Sequence, residues 1–305
     1  MPLQISDVSE ALALDPKQFI GIPIALVGAI FLSLGAQFQS RGVNKVQANS
    51  IADASRGLNA GQLMALLARP SWVFGTVMLG LAIVLQLTSL VFSPLIVVQP
   101  LGAVALVMTA FLNAFISKVY LPRRAILSIV LCVGGVFLFV FLAAFTARDQ
   151  TINNDQLLVI LIILAVVIVV FSAMFGLLRS RFKAVGYIIA AGILYGFVAT
   201  LAKVVIKRLQ QGDFEWLTLT GLVGLLVAAA LGAYFVQTAY SSGPPDLVIA
   251  GLTVIDPLVA VAIGILVLGE ASTAPLWALI GYVISGAIAI VGVFGLARYH
   301  PQMAR

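Results

Sequence analysis

The chain has 305 residues, of which 62% are hydrophobic and 9% charged, and its mean hydropathy is +1.15. A water-soluble domain is roughly 45–50% apolar and about a quarter charged, so these values exclude one and make lipid the solvent. At ~20–22 residues per crossing the apolar residues fill about nine helices, which leaves no stretch for a separate soluble catalytic domain.

Residues 1–18 carry Asp7, Glu10 and Asp15 against Lys17. They lack the basic start of a signal peptide and are expected to form an extracytoplasmic tail. Apolar runs then predict spans at 19–41, 71–92, 94–117, 125–146, 156–178, 185–206, 216–240, 247–268 and 275–297. Ser93-Pro94 reads as a tight turn, and Ser241 to Asp246 as a stronger one, because proline continues a helix only at a cost. In the long 42–70 connection, Gly61 to Ala68 is expected to form a short amphipathic helix on the membrane surface.

The net charge of +6 would point to nucleic acid in a soluble chain; here it reports loop charges that set orientation, and no nucleic-acid partner is expected. Twelve Lys and Arg, among them Arg41, Lys45, Arg123, Arg124 and Arg179, fall in one set of alternate loops. Only Lys17, Arg148, Lys207 and Arg208 fall in the other. This imbalance predicts an N-terminus outside and a C-terminus in the cytoplasm, which needs an odd number of spans.

An internal repeat is the most informative feature. Val97-Val98-Gln99-Pro100-Leu101-Gly102-Ala103 recurs 157 residues later as Val254-Ile255-Asp256-Pro257-Leu258-Val259-Ala260. Gln86 and Gln237 match in the preceding spans, and Gly134-Gly135 matches Ser285-Gly286 in the following ones. The expected organisation is a first repeat at 19–146, a linking helix at 147–184, a second repeat at 185–297 and a cytoplasmic tail at 298–305. The odd number of crossings between repeats turns the halves upside down, as in secondary transporters with a site near the midplane.

A carboxylate near the centre of a span costs ~2.5–3.5 kcal/mol on insertion scales and needs a reason. Asp256 is such a group, and Pro257 behind it leaves a carbonyl one turn earlier without its helix donor. Open backbone at membrane depth is expected where it faces protein or a water-filled cavity. A substrate, ion or proton site is therefore expected around Asp256, with its repeat mate Gln99 and with Pro100, Pro257, Gln86, Gln237 and Gln37. If protein ligates a metal, Asp256 is the candidate. Gln39, Thr88 and Asn113 are further buried polar groups, each by itself more often interhelical glue than ligand.

Lys203, the one basic residue inside a span, reads either as part of that site or as a side chain snorkelling to the interface. Glu270 closes the eighth span and reads as an interfacial charge. Gly224, Ala228 and Gly232, like Gly281, Ser285 and Ala289, recur every four residues and mark packing seams. Cys132 stands alone, so no intrachain disulfide forms, and the single His300 lies in the terminal tail. There is no G-x-x-x-x-G-K-[ST] loop and no multi-histidine arrangement. Neither an enzyme nor a cofactor is expected.

Span 1 ends in Ser40-Arg41-Gly42-Val43, and the turn into span 3 reads Ser93-Pro94-Leu95-Ile96-Val97-Val98-Gln99-Pro100-Leu101-Gly102-Ala103. This resembles the NIPA-type magnesium transporter branch of the drug/metabolite transporter superfamily. The second half, with Pro257 and then Gly269-Glu270 closing the helix, resembles the EamA-type pattern. The resemblance implies nine spans with the N-terminus outside and a lysine at the place of Lys203. It also implies an acidic residue in the helix before the first motif and another after span 3, where this chain has Ile83 and Val119.

The expected function is secondary transport of a small solute or drug-like molecule across the cytoplasmic membrane, with proton coupling through Asp256 in view. The alternative is a NIPA-like Mg²⁺ transporter or channel. A further alternative, from another class, is a non-transporting membrane scaffold or lipid-interacting protein whose basic 42–70 loop meets anionic lipid. Expected partners are the bilayer and a small-molecule or cation substrate, with a homodimer left open.

Overall fold

The computed structural model describes residues 19–48, 67–117, 122–178, 184–242 and 245–299. These contain nine long helices: α1 (Gly21–Ala48), α2 (Pro70–Phe92), α3 (Leu95–Ser117), α4 (Arg123–Thr146), α5 (Asn154–Leu178), α6 (Ala184–Gln211), α7 (Trp216–Ser242), α8 (Pro245–Leu266) and α9 (Leu276–Tyr299). No strand occurs among the described residues. Each helix contains a stretch long and apolar enough to cross a membrane, so the nine predicted spans are present, most ends shifting by a few residues. The largest shift is in α1, which continues past Arg41 to Ala48. The surface helix expected at Gly61 to Ala68 falls almost wholly outside the described residues.

Helix ends follow local chemistry. Pro70 and Pro245 each stand at a first helical position, where the missing amide hydrogen costs nothing. Ser93 takes an extended conformation (φ −123°, ψ 151°), as a residue before proline prefers, and this stops α2 so that α3 can start at Leu95. The turn after α8 needs a positive φ at Gly269 (70°), a conformation that a side chain would strain.

Helix packing repeats itself. α1 packs on α2 and α3, and α3 on α4; in the second half α6 packs on α7 and α8, and α8 on α9. The halves meet where α3 touches α8 and where α4 lies along α9, while α5 rests at the edge against α6 and α7. Within the membrane, helices associate by close packing and not by an apolar driving force, so small residues sit at the contacts. A Cβ on Gly135 of α4 would lie 2.5 Å from the Ala289 nitrogen and 2.8 Å from the Ser285 carbonyl of α9. The small-residue stripe at Ser285 and Ala289 is thus the α4/α9 seam. α3 and α6 are the most enclosed helices, and their faces toward α8 frame the candidate site.

Candidate functional site

α1, α2, α3, α6 and α8 line an open-sided cavity of about 750 Å³. Its polar lining comes from Gln86 on α2, Gln99 on α3, Tyr195 on α6, and Thr253 and Asp256 on α8. The rest of the wall is mainly carbon, including Leu32, Ile83 and Leu87. Asp256 stands midway along α8, and its Oδ1 is buried without a hydrogen-bond partner. Such an atom costs free energy in proportion to its lost hydration, and each one in a native structure calls for a reason.

Two features of the backbone build this corner. Pro257 lacks an amide hydrogen, so the carbonyl of Thr253 has no helix donor one turn on. The Thr253 hydroxyl donates to the Ile249 carbonyl (2.8 Å) and does not fill that gap. Across from it, Gly192 and Gly196 let α6 lie directly on α8. A Cβ on Gly196 would stand 2.7 Å from the Val259 Cβ and 3.0 Å from the Asp256 carbonyl, and one on Gly192 2.7 Å from the Ile255 Cβ. The two glycines therefore set the distance of Asp256 from α6, where Tyr195 lies within its electrostatic reach. Behind the cavity, Pro100 and Pro257 share a small apolar void of about 70 Å³ against α4 and α9.

At the end of the bundle that carries the α2–α3, α4–α5 and α8–α9 connections, a second polar cluster closes the structure. Lys203 is 1% exposed. Its Nζ lies 3.0 Å from the Asp149 carboxylate and donates to the carbonyls of Leu90 (2.7 Å) and Ser93 (2.8 Å). These carbonyls belong to the C-terminal turn of α2, where intrahelical donors run out and the helix dipole favours a cation. Lys207 pairs with the other Asp149 oxygen. Glu270, also buried, accepts the Leu95 and Ile96 amides of α3 through its two oxygens, both at 2.8 Å. Its own carbonyl accepts the Arg148 amide (2.8 Å). The α2–α3 turn is thus held at both helix ends by charges from the second half. Leu90 and Ala202 also line the cavity, so this cluster forms the wall at that end.

Of the site residues expected from sequence, the structure brings Gln86, Gln99, Asp256 and Pro257 to one cavity. Pro100 lies on the small void behind it. Gln237, on α7, is exposed and is not among the lining residues. Gln37, on α1, is half-buried and is not among the lining residues, while Gln39 donates to the Thr76 hydroxyl of α2 (3.0 Å). The Asn113 side chain lies outside the described residues. Lys203 does not snorkel and does not line the cavity: Asp149, from the connection before α5, reaches it inside the protein. Glu270 is likewise not a solvated charge: it is buried and caps α3. Ile83, at the place where the family resemblance implied an acid, does line the cavity. Sequence reasoning missed Tyr195, Asp149 and the Gly192/Gly196 pair; the last was readable as two glycines four apart in an apolar run.

Nine membrane-length helices among the described residues, five of them lining a cavity that holds an acid at mid-helix, define a multi-pass integral membrane protein of the transporter class. A family model described as magnesium transporter NIPA matches residues 16–212, and the chain belongs to that family. The match runs from α1 through α6, so Asp256 and Glu270 lie beyond it. An uncharacterised protein of Corynebacterium glutamicum is 26% identical over 289 residues, 92% of this chain and 96% of its own length. Two Arabidopsis thaliana proteins, named as the probable magnesium transporters NIPA1 and NIPA5, are 28% and 27% identical. Those two alignments cover 40% and 38% of this chain, and only 35% and 28% of the plant proteins. No solved structure matches.

Proposed function

We propose that this chain moves Mg²⁺ across the membrane through the cavity between α1, α2, α3, α6 and α8, with Asp256 as its anionic anchor. The observation that carries the reading is Asp256, an acid midway along a membrane-length helix that lines the cavity and whose Oδ1 no protein donor answers. Family membership and the two plant relatives' names supply the cation. Lys203 and Glu270 hold the α2–α3 turn and contribute no ligand.

Flux into liposomes carrying a trapped Mg²⁺-sensitive dye tests the reading. Wild type gives saturable uptake, and Asp256→Asn, which removes the charge at constant volume, lowers it at least tenfold. Absence of Mg²⁺ uptake by folded wild type overturns the proposal.

The carbon-rich remainder of the wall, with Leu32, Ile83 and Leu87, favours one other reading. A cavity of mostly apolar lining with a few placed polar groups suits an organic solute, and a lone carboxylate can carry one proton per cycle. Under that reading an imposed pH gradient drives solute uptake in wild type and not in Asp256→Asn, with no Mg²⁺ flux in either.

A further inference from the structure

Six waters occupy about 180 Å³ at roughly 30 Å³ each, well inside the 750 Å³ of the cavity. Size therefore allows an ion to enter with its shell. Composition goes further. Mg²⁺ sheds water reluctantly and takes six oxygens at about 2.0–2.1 Å in a near-ideal octahedron. Among the described residues no three His, Cys, Asp or Glu side chains gather in one place, and Asp256 is the one acid among the lining residues. A bare ion would find one carboxylate and a few neutral oxygens spread over a largely apolar wall.

A hydrated ion presents only O–H donors outward, so it asks the wall for acceptors. The polar lining residues supply them: the Asp256 carboxylate, the amide oxygens of Gln86 and Gln99, and the hydroxyls of Tyr195 and Thr253. Building on the Mg²⁺ reading above, we infer that this cavity recognises the divalent cation through its intact first water shell, Asp256 and the two glutamines bonding to shell waters and not to the metal.

Cobalt(III) hexaammine tests this. It is close in size to hexahydrated Mg²⁺, presents N–H donors outward and does not exchange its ligands, so it binds only where the shell is what is read. Calorimetric titration of the purified full chain is expected to show one saturable hexaammine site displaced by Mg²⁺. Asp256→Asn weakens it at least tenfold, and Gln237→Ala, outside the cavity, leaves it unchanged. Should Asp256→Asn not yield folded protein, Gln86→Leu replaces it, with a loss of at least threefold. No hexaammine binding, or binding equal in wild type and the cavity variants, overturns the inference. The two readings fail separately. Normal Mg²⁺ flux without hexaammine binding removes shell recognition and leaves transport standing. Asp256-dependent hexaammine binding without Mg²⁺ flux removes transport and leaves the recognition.

Discussion

Asp149, in the connection between α4 and α5, lies 3.0 Å from the ammonium of Lys203 inside α6, and that lysine also holds the last carbonyls of α2. One residue of the second half is therefore bonded both to the first half and to the connection that leads into α5. Removing one partner of a buried pair costs up to about 3–5 kcal/mol, and here Asp149 keeps Lys207 while the Leu90 and Ser93 carbonyls lose their donor. Lys203→Met is expected to lower the thermal midpoint in detergent accordingly. Lys207→Met, which leaves Asp149 paired with Lys203 and removes a partly exposed charge, costs under about 1 kcal/mol. Equal losses in the two variants would show that Lys203 is not the keystone of this cluster.

Glu270 answers two fully buried amides, those of Leu95 and Ile96. Each donor left bare costs about 1–3 kcal/mol, so Glu270→Ala is expected to destabilise by about 2–6 kcal/mol. Glu270→Gln keeps one acceptor oxygen and should fall between. Hydrogen exchange localises the effect: amides 95 and 96 exchange faster in both variants, while the far end of α3 is unchanged.

Two glycines near the cavity separate packing from passage. Gly196 has α8 against it, so Gly196→Leu must push that helix away, an overpacking cost of about 1–3 kcal/mol, and it carries Asp256 out of place. Both melting temperature and Mg²⁺ uptake should fall. Gly102 lines the cavity, and a Cβ there meets nothing within 4 Å. Gly102→Phe is therefore expected to keep the melting temperature within a few degrees while lowering uptake at least tenfold, by filling the path. Unimpaired uptake in Gly102→Phe would place the route elsewhere.

The basic-residue count predicts a cytoplasmic C-terminus. Cys132 is the single cysteine and is buried, so Cys132→Ser gives a clean background for labelling. In that background Arg305→Cys should resist a membrane-impermeant maleimide in intact cells and react after permeabilisation. Reaction in intact cells would reverse the orientation.

How far the sequence reached depends on the range of each interaction. Asp256, Gln99 and Gln86 stood out because a charge or amide in an apolar run is costly wherever the chain folds. The repeat placed Gln99 with Asp256, and both line one cavity. Gln237 carried the same signal, yet α7 contributes nothing to that wall. A helical run does not say which face meets the cavity. Lys203 and Glu270 were misread for another reason. Lys203 bonds to a carbonyl 113 residues away and Glu270 to an amide 175 residues away. From the local pattern alone, each is a charge near a span end.

The reach of Glu270 has a consequence for biogenesis. At ~5–20 residues per second, the ribosome makes residue 270 about 9–35 s after residue 95. Until then the first two amides of α3 have no protein acceptor and must stay hydrated near the membrane surface. The amino-terminal half thus inserts with its α2–α3 turn unfinished. A nascent chain halted before Glu270 would remain incomplete there, however well its own helices had entered the bilayer.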